Sequence, residues 1–180
     1  MRNVILNLAV TLDGFIEGPN GEIDWCIMDE EMDFKGFLEQ IDAIFYGRLS
    51  FEKWGNFKPD SNANDIDKEF WEQIHEKKKY VFSRSLKSAE NAELIKDGLK
   101  ESIMAIKKEN GKDIWLYGGA QLTKSFIQMD LIDVYQLSVH PILLGAGIPL
   151  FDSLKTPIQL NLVNTRTFQS GVVELTYQRK

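Results

Sequence analysis

The segment from Ile114 to Phe151 limits what this chain can fold into more than any other. It opens with an apolar run, Ile114-Trp115-Leu116-Tyr117, of strand length and strand composition. Gly118-Gly119 follows at once, and Leu122, Phe126 and Ile127 then recur at helical spacing. A strand that turns on two glycines into a helix belongs to α/β architecture. Such a turn also suits an anion: glycine lets a ligand approach the backbone closely, and the free N–H groups and dipole of the helix start favour negative charge. A ligand-free tight turn would leave the same trace, so the glycine pair alone does not decide. A second strand, Val134 to Val139, leads into a loop carrying Pro141, Gly145, Gly147 and Pro149.

The other segments fall around this unit. Val4 to Leu12 is aliphatic and β-branched and reads as a central strand. Asp13-Gly14 turns the chain, and Gly18, Pro19, Asn20 and Gly21 form a loop beside the first strand. Asp29 to Gln40 reads as a helix with an acidic first turn, capped by Asp29 or Asp33. Strands follow at Ala43 to Tyr46, Lys79 to Ser83 and Leu94-Ile95. Helices are expected over Leu49 to Trp54, Ile66 to Ile74 and Ser102 to Glu109. Lys58 to Asp65 is the one loose segment, and Gln159 to Phe168 with Val172 to Gln178 makes a terminal hairpin. Strands alternating with helices and closing on a hairpin predict an α/β sheet, mostly parallel, with an antiparallel edge.

A chain of 180 residues is read as one domain spanning 1–180, long enough to bury its own core. The net charge of -6 argues against a general nucleic-acid or anionic-membrane binder. One cysteine, Cys26, excludes a disulfide framework and any multi-cysteine zinc site, and no metal is expected. Asn3 and Asn7 interrupt the first apolar run, so it does not read as a signal peptide. No apolar stretch approaches the ~20 residues needed to cross a bilayer. The cytoplasm is the default location.

In open α/β sheets ligands bind beyond the carboxyl ends of the strands. Three of those ends are unusual here: Gly47-Arg48, Ser83-Arg84 and Gly118-Gly119. Two arginines and a glycine pair would together satisfy an anion with several phosphates. Each arginine alone is more often a solvated surface charge.

With these residues in place, the chain resembles the dihydrofolate reductase-like superfamily. Within it, the chain is most similar to the C-terminal reductase domain of bacterial riboflavin deaminase–reductase. The resemblance rests on Leu12-Asp13-Gly14, Gly47-Arg48, Ser83-Arg84, Gly118-Gly119 with Leu122, Leu131-Ile132-Asp133, and above all Pro141 to Phe151, read P-x-L-L-G-x-G-x-P-L-F. It runs from about Val4 to the C-terminus. It implies a single reductase domain with a mostly parallel central sheet, flanking helices and an antiparallel C-terminal hairpin. It also implies NADPH as cofactor and hydride transfer to a small heterocyclic or carbonyl/imine substrate, as in the reductase of riboflavin biosynthesis. The deaminase half has no counterpart here.

Carried over by position, Ala9 and Ile16 would flank the nicotinamide. Gly47 and Arg48 would meet the phosphates, Ser83 and Arg84 would lie by the adenosine half, and Gly118, Gly119, Ala120, Gln121 and Leu122 would cradle the pyrophosphate. Asp13 is the candidate catalytic group, for proton transfer or substrate orientation. An apolar pocket would raise its pKa; the competing reading is a turn aspartate bonded to nearby backbone. Asp29 and Asp33 are its rivals, and Trp25 and Phe34 are candidate walls of the substrate pocket. Asp24, Asp29, Glu30, Glu31 and Asp33 make that region acidic, which disfavours a phosphorylated substrate. Dihydrofolate reductase activity and a non-catalytic NADPH-binding module are the alternatives. A homodimer is expected from the apolar 141–151 segment and the hairpin edge. His75 is read as solvated and His140 as structural.

Overall fold

β3, the strand from Ile41–Gly47, shows how this fold is driven. Ile44, Phe45 and Tyr46 are consecutive and all wholly buried. Only a strand covered on both faces buries neighbours that point in opposite directions, and parallel sheets provide that environment. The computed structural model describes every residue except Asp29, Ser153 and Lys155, with the side chains of Glu30 and Ile66 also outside the description.

In chain order the strands are β1 (Val4–Thr11), β2 (Phe15–Glu17), β3, β4 (Lys78–Phe82), β5 (Glu93–Ile95), β6 (Asp113–Gly118), β7 (Val134–His140), β8 (Ile148–Pro149), β9 (Leu160–Thr167) and β10 (Val173–Arg179). The helices are α1 (Phe34–Gln40), α2 (Arg48–Ser50), α3 (Asp65–Glu76), α4 (Leu99–Lys108) and α5 (Ala120–Met129). A 3-10 turn covers Glu30–Met32 and a π turn, Phe51–Gly55, extends α2. The chain divides into two compact units, one of Met1–Asn3 with Asp33–Gly119 and the other of Val4–Met32 with Ala120–Lys180.

The first unit holds four strands in the order β5-β4-β3-β6, all parallel. Its core joins Ile44, Phe45, Tyr80, Val81, Ile114 and Leu116 of the strands to Ile74 of α3 and Ile103 of α4. The N-terminus is tied in by Arg2, whose guanidinium pairs with Asp42 and donates to the Lys112 carbonyl at 2.5 Å. Trp54, Phe57 and Trp71 form a half-buried aromatic group, with Trp54 and Trp71 stacked at 5.8 Å and 12°.

The second unit holds β1-β7-β10-β9 and the small antiparallel pair β2-β8. β1 and β7 are parallel, and the hairpin of β9 and β10 adds antiparallel to β7. The register sorts this half-sheet into two faces. Leu6, Leu8 and Val10 align with Tyr135, Leu137 and Val139, and these with Tyr177, Leu175 and Val173. On the other face Asn7, Ala9 and Thr11 align with Gln136, Ser138 and His140, and Glu174 stands beside Ser138.

The expected α/β class, mostly parallel with a C-terminal antiparallel hairpin, is what the chain adopts. The expected helix from Asp29 to Gln40 is divided. Asp33 takes a left-handed conformation (φ 50°) and its side chain accepts from Gly36 N, so α1 begins after it and has no acidic residue in its first turn. Asp33 is therefore the cap, and Asp29 lies outside the described residues. α4 starts at Leu99, earlier than expected, because Gly98 supplies a left-handed entry at φ 63°. The pair β2-β8 has no local sequence signal; it forms between residues more than 130 positions apart.

Candidate functional site

In the first unit, three expected ligand positions stand at strand ends. β3 ends at Gly47 and Arg48 opens α2. The Arg48 guanidinium is about half exposed and pairs with Glu52 at 2.8 Å, one helical turn on. An arriving phosphate would therefore share Arg48 with a carboxylate. β4 ends before Ser83, whose hydroxyl accepts from the N–H groups of Ser85 and Leu86 at 3.3 and 3.2 Å. This folds the Ser83-Arg84-Ser85 turn and leaves Arg84 exposed. β6 ends at buried Gly118, which has φ 97° and a cis bond to Gly119. A Cβ at Gly119 would stand 3.0 Å from the Ser50 hydroxyl, so the turn has little room for a side chain. Asp33, as the cap of α1, uses its carboxylate locally. Phe34 meets Phe70 of α3 edge-on at 6.0 Å.

Tyr46 lies in the same unit, wholly buried one residue before Gly47, and its hydroxyl has no hydrogen-bond partner among the described residues. Burial and the neighbouring Tyr117 push its pKa far up, so it stays a phenol. His75, read as solvated, is instead half-buried: Nε2 lies 2.7 Å from the Phe57 carbonyl and Nδ1 3.1 Å from Lys79 Nζ. Lys79 also donates to the Gly55 carbonyl at 2.6 Å, and burial lowers its pKa.

In the second unit, Ala9 is half-buried on β1 between Asn7 and Thr11 of the polar face, and Ile16 is the middle residue of β2. Ala120, Gln121 and Leu122 form the first turn of α5, whose N–H groups lack partners within the helix. Leu122 and Thr123 point inward, and the Thr123 hydroxyl is buried without a partner among the described residues. Trp25 packs edge-on against His140 at 5.3 Å. His140 is buried, with Nδ1 2.9 Å from the Ser138 carbonyl and Nε2 3.4 Å from the Ile27 carbonyl. Glu174 is buried on the polar face between Gln136 Nε2 at 3.0 Å and Arg166 at 3.8 Å. Arg166 in turn donates to the Glu31 carbonyl at 2.6 Å.

Asp13 is exposed, and the expectation of a raised pKa is corrected. The Thr11 hydroxyl donates to its Oδ1 at 2.6 Å, Leu144 N to Oδ1 at 3.3 Å and Gly145 N to Oδ2 at 2.7 Å. These bonds, Thr11 first, stabilise the carboxylate and hold the pKa below the usual aspartate value. The Asp-Gly turn and the Pro141–Phe151 motif, far apart in sequence, thus meet.

A profile of the RibD C-terminal domain matches residues 2–174. The chain belongs to the RibD C-terminal domain family. Its relative YyaP of Bacillus subtilis (strain 168), called an uncharacterized protein, is 55% identical over 98% of this chain and 94% of YyaP. Among solved structures, a protein of Shewanella sp. PV-4 named for riboflavin biosynthesis superposes with a TM-score of 0.80 at 24% identity, covering 100% of this chain and 99% of that one. The dihydrofolate reductase of Enterococcus faecalis, complexed with NADP(H), superposes with a TM-score of 0.66 at 19% identity over 99% and 96% of the two chains. These likenesses show the dihydrofolate reductase-like fold.

In this RibD C-terminal domain, sequence reasoning missed Glu52, Thr11 and the Arg166–Glu174 pair. Glu52 was legible in principle, since a glutamate four residues after Arg48 on a helix faces it. Thr11, two residues before Asp13 at a strand end, was a further signal of a carboxylate locked by its neighbours. Arg166 and Glu174 gave no local signal, because cross-strand register brings them together. Among the described residues, no group of three or more His, Cys, Asp or Glu side chains could hold a metal ion. No helix among them is long and apolar enough to cross a membrane.

Proposed function

We propose that this protein is an NADPH-dependent reductase that transfers hydride to a small heterocyclic or carbonyl/imine substrate. The observation that supports the reading best is the turn at Gly118-Gly119. Its backbone is bare, a side chain at Gly119 would crowd Ser50, and the ten-residue helix α5 starts directly after it. Bare backbone followed by a helix start suits a pyrophosphate. Family membership over residues 2–174 supports the same reading.

In this reading Gly118, Gly119, Ala120, Gln121 and Leu122 hold the pyrophosphate through backbone N–H groups. Gly47 admits the cofactor at the end of β3. Arg48 and Arg84 supply charge to the phosphates, with Ser83 fixing the turn that carries Arg84. Ala9 and Ile16 flank the nicotinamide, which supplies the hydride when bound. Trp25, Asp29, Asp33 and Phe34 belong to the substrate side. Asp13, ionised at neutral pH, orients rather than donates a proton. The exposed carboxylates of Asp24, Glu31 and Asp33 favour a substrate without a phosphate group. Efficient turnover of the phosphoribosyl intermediate of riboflavin synthesis by the purified protein would overturn that point.

The domain is read as working in a homodimer. Leu162 and Val163 on the edge strand β9 are 57% and 54% exposed, and as neighbours on a strand they point to opposite faces. A monomer mass at micromolar concentration would exclude this. The cofactor test is a thermal-shift titration with NADPH and with NADH, since a ligand bound only by the folded state raises Tm according to its affinity. A large shift with NADPH and a small one with NADH is expected. No shift with either would remove the ground for the reductase reading.

A further inference from the structure

We propose that Asp13 is a positioning residue: its carboxylate pins the middle of the 141–151 loop against the β1–β2 turn and so fixes Ile16 of β2. Only the consequence for Ile16 rests on the reading of this protein as a reductase. The pin itself rests on geometry within one unit.

The β1–β2 turn closes on itself through Gly14 N, which donates to the Thr11 carbonyl at 2.9 Å. Thr11 Oγ1 accepts from Phe15 N at 2.9 Å, which leaves the hydroxyl proton for Asp13 Oδ1 at 2.6 Å. The side chain of Asp13 is thereby aimed before it meets the loop. The loop is tied by backbone at both ends. Leu12 N donates to the Ile142 carbonyl at 3.0 Å, and Leu150 N to the Gly14 carbonyl at 2.9 Å. Between these ties Leu143 is 68% exposed, and Gly145 and Ala146 are exposed as well. Burial therefore does little to hold the midpoint. What holds it is a carboxylate facing two successive N–H groups, those of Leu144 and Gly145. Such charge-assisted bonds are stronger than neutral ones.

The pin is transmitted through the short sheet. β8 follows the pinned residues and pairs with β2 at Phe15↔Pro149 and Glu17↔Ile148, on either side of Ile16. Two pairs make a weak ladder. Its register depends on where the loop before it is held. An amide at position 13 has one acceptor oxygen, so whichever way it turns, its NH₂ faces an N–H or O–H donor.

The test compares wild type with Asp13→Ala and Asp13→Asn. Hydrogen exchange is read for peptides covering 143–150 and for β3 and β6 as reference. NADP⁺ affinity is measured on the same samples. We expect exchange at 143–150 to speed up about tenfold or more in Asp13→Ala, the size of one lost charge-assisted bond, with an intermediate gain in Asp13→Asn. Protection of β3 and β6 should not change, and NADP⁺ affinity should fall in the same order as loop protection. Unchanged exchange at 143–150 in both variants overturns the pin. Faster exchange there with NADP⁺ affinity untouched overturns the positioning of Ile16. Exchange that rises equally in β3 and β6 overturns the proposal too, because the effect is then general unfolding; Asp13→Asn, the milder change, guards against that outcome arising only from the alanine. Absence of any nucleotide binding by wild type would count against the reductase reading, and the exchange data would still decide the pin.

Discussion

Gly147→Ala should be far more damaging than its size suggests. The added Cβ would lie 2.3 Å from the carbonyl oxygen of Glu17 and 3.2 Å from Cδ1 of Phe15. The first of these is backbone on β2 and cannot rotate away. Either β2 or β8 must shift, and the two-residue ladder between them breaks. Forcing a methyl into such a place costs about 1–3 kcal/mol. For a chain of this length each kcal/mol lowers Tm by roughly 2–4 °C, so about 2 kcal/mol predicts a loss near 4–8 °C. Gly145→Ala is the control. Its Cβ would meet nothing within 4 Å, and its only penalty is the positive φ of 74°. That conformation costs an alanine about 1 kcal/mol, or roughly 2–4 °C. Thermal melts by circular dichroism, on both variants in one buffer, measure the difference. A Gly147→Ala protein melting within 1 °C of wild type (about 0.3 kcal/mol), or above Gly145→Ala, would refute the close approach of residue 147 to β2.

Lys79 has its pKa lowered by burial, so the unfolded chain binds its proton more readily than the folded one. Stability should therefore rise with pH between the lowered value and the ordinary lysine range, and Lys79→Met should abolish that rise in urea titrations from pH 8 to pH 10.5. Cys26 has its thiol pushed up to about 11 by burial and by nearby Asp24. At pH 8 only about one molecule in a thousand carries the thiolate, so a disulfide reagent should react about two orders of magnitude more slowly than with an ordinary cysteine; fast modification of the folded protein would contradict this. Tyr46→Phe removes a buried hydroxyl that has no partner among the described residues. Its stability should equal or exceed wild type by about 1 kcal/mol in urea denaturation, and a clear loss would show that the hydroxyl is bonded.

Much of the sheet was legible because its signals are local. β3, β4 and β6 each carry an apolar run, Ala43 to Tyr46, Tyr80 to Phe82 and Ile114 to Tyr117, as strands covered on both faces do. The Gly118-Gly119 turn and the hairpin of β9 and β10 carried their own glycines. The break before α1 was not legible. Met32 and Phe37 are both buried, so the apolar spacing runs on across Asp33 and hides the change of backbone conformation. His75 looked solvated on a charged helix, yet Phe57 and Lys79 enclose it from outside that helix. Asp13 shows the same limit at the candidate site. Its position was evident from the turn, whereas its ionisation depends on two N–H groups more than 130 residues away.

The aromatic side chains also give the first unit an optical signature of its own. Trp54 and Trp71, stacked nearly parallel and 5.8 Å apart, are close enough for their excited states to couple, which splits the circular-dichroism bands of the first unit. Trp25 belongs to the second unit, edge-on to the imidazole of His140. Circular dichroism can therefore follow the first unit with no label added to it.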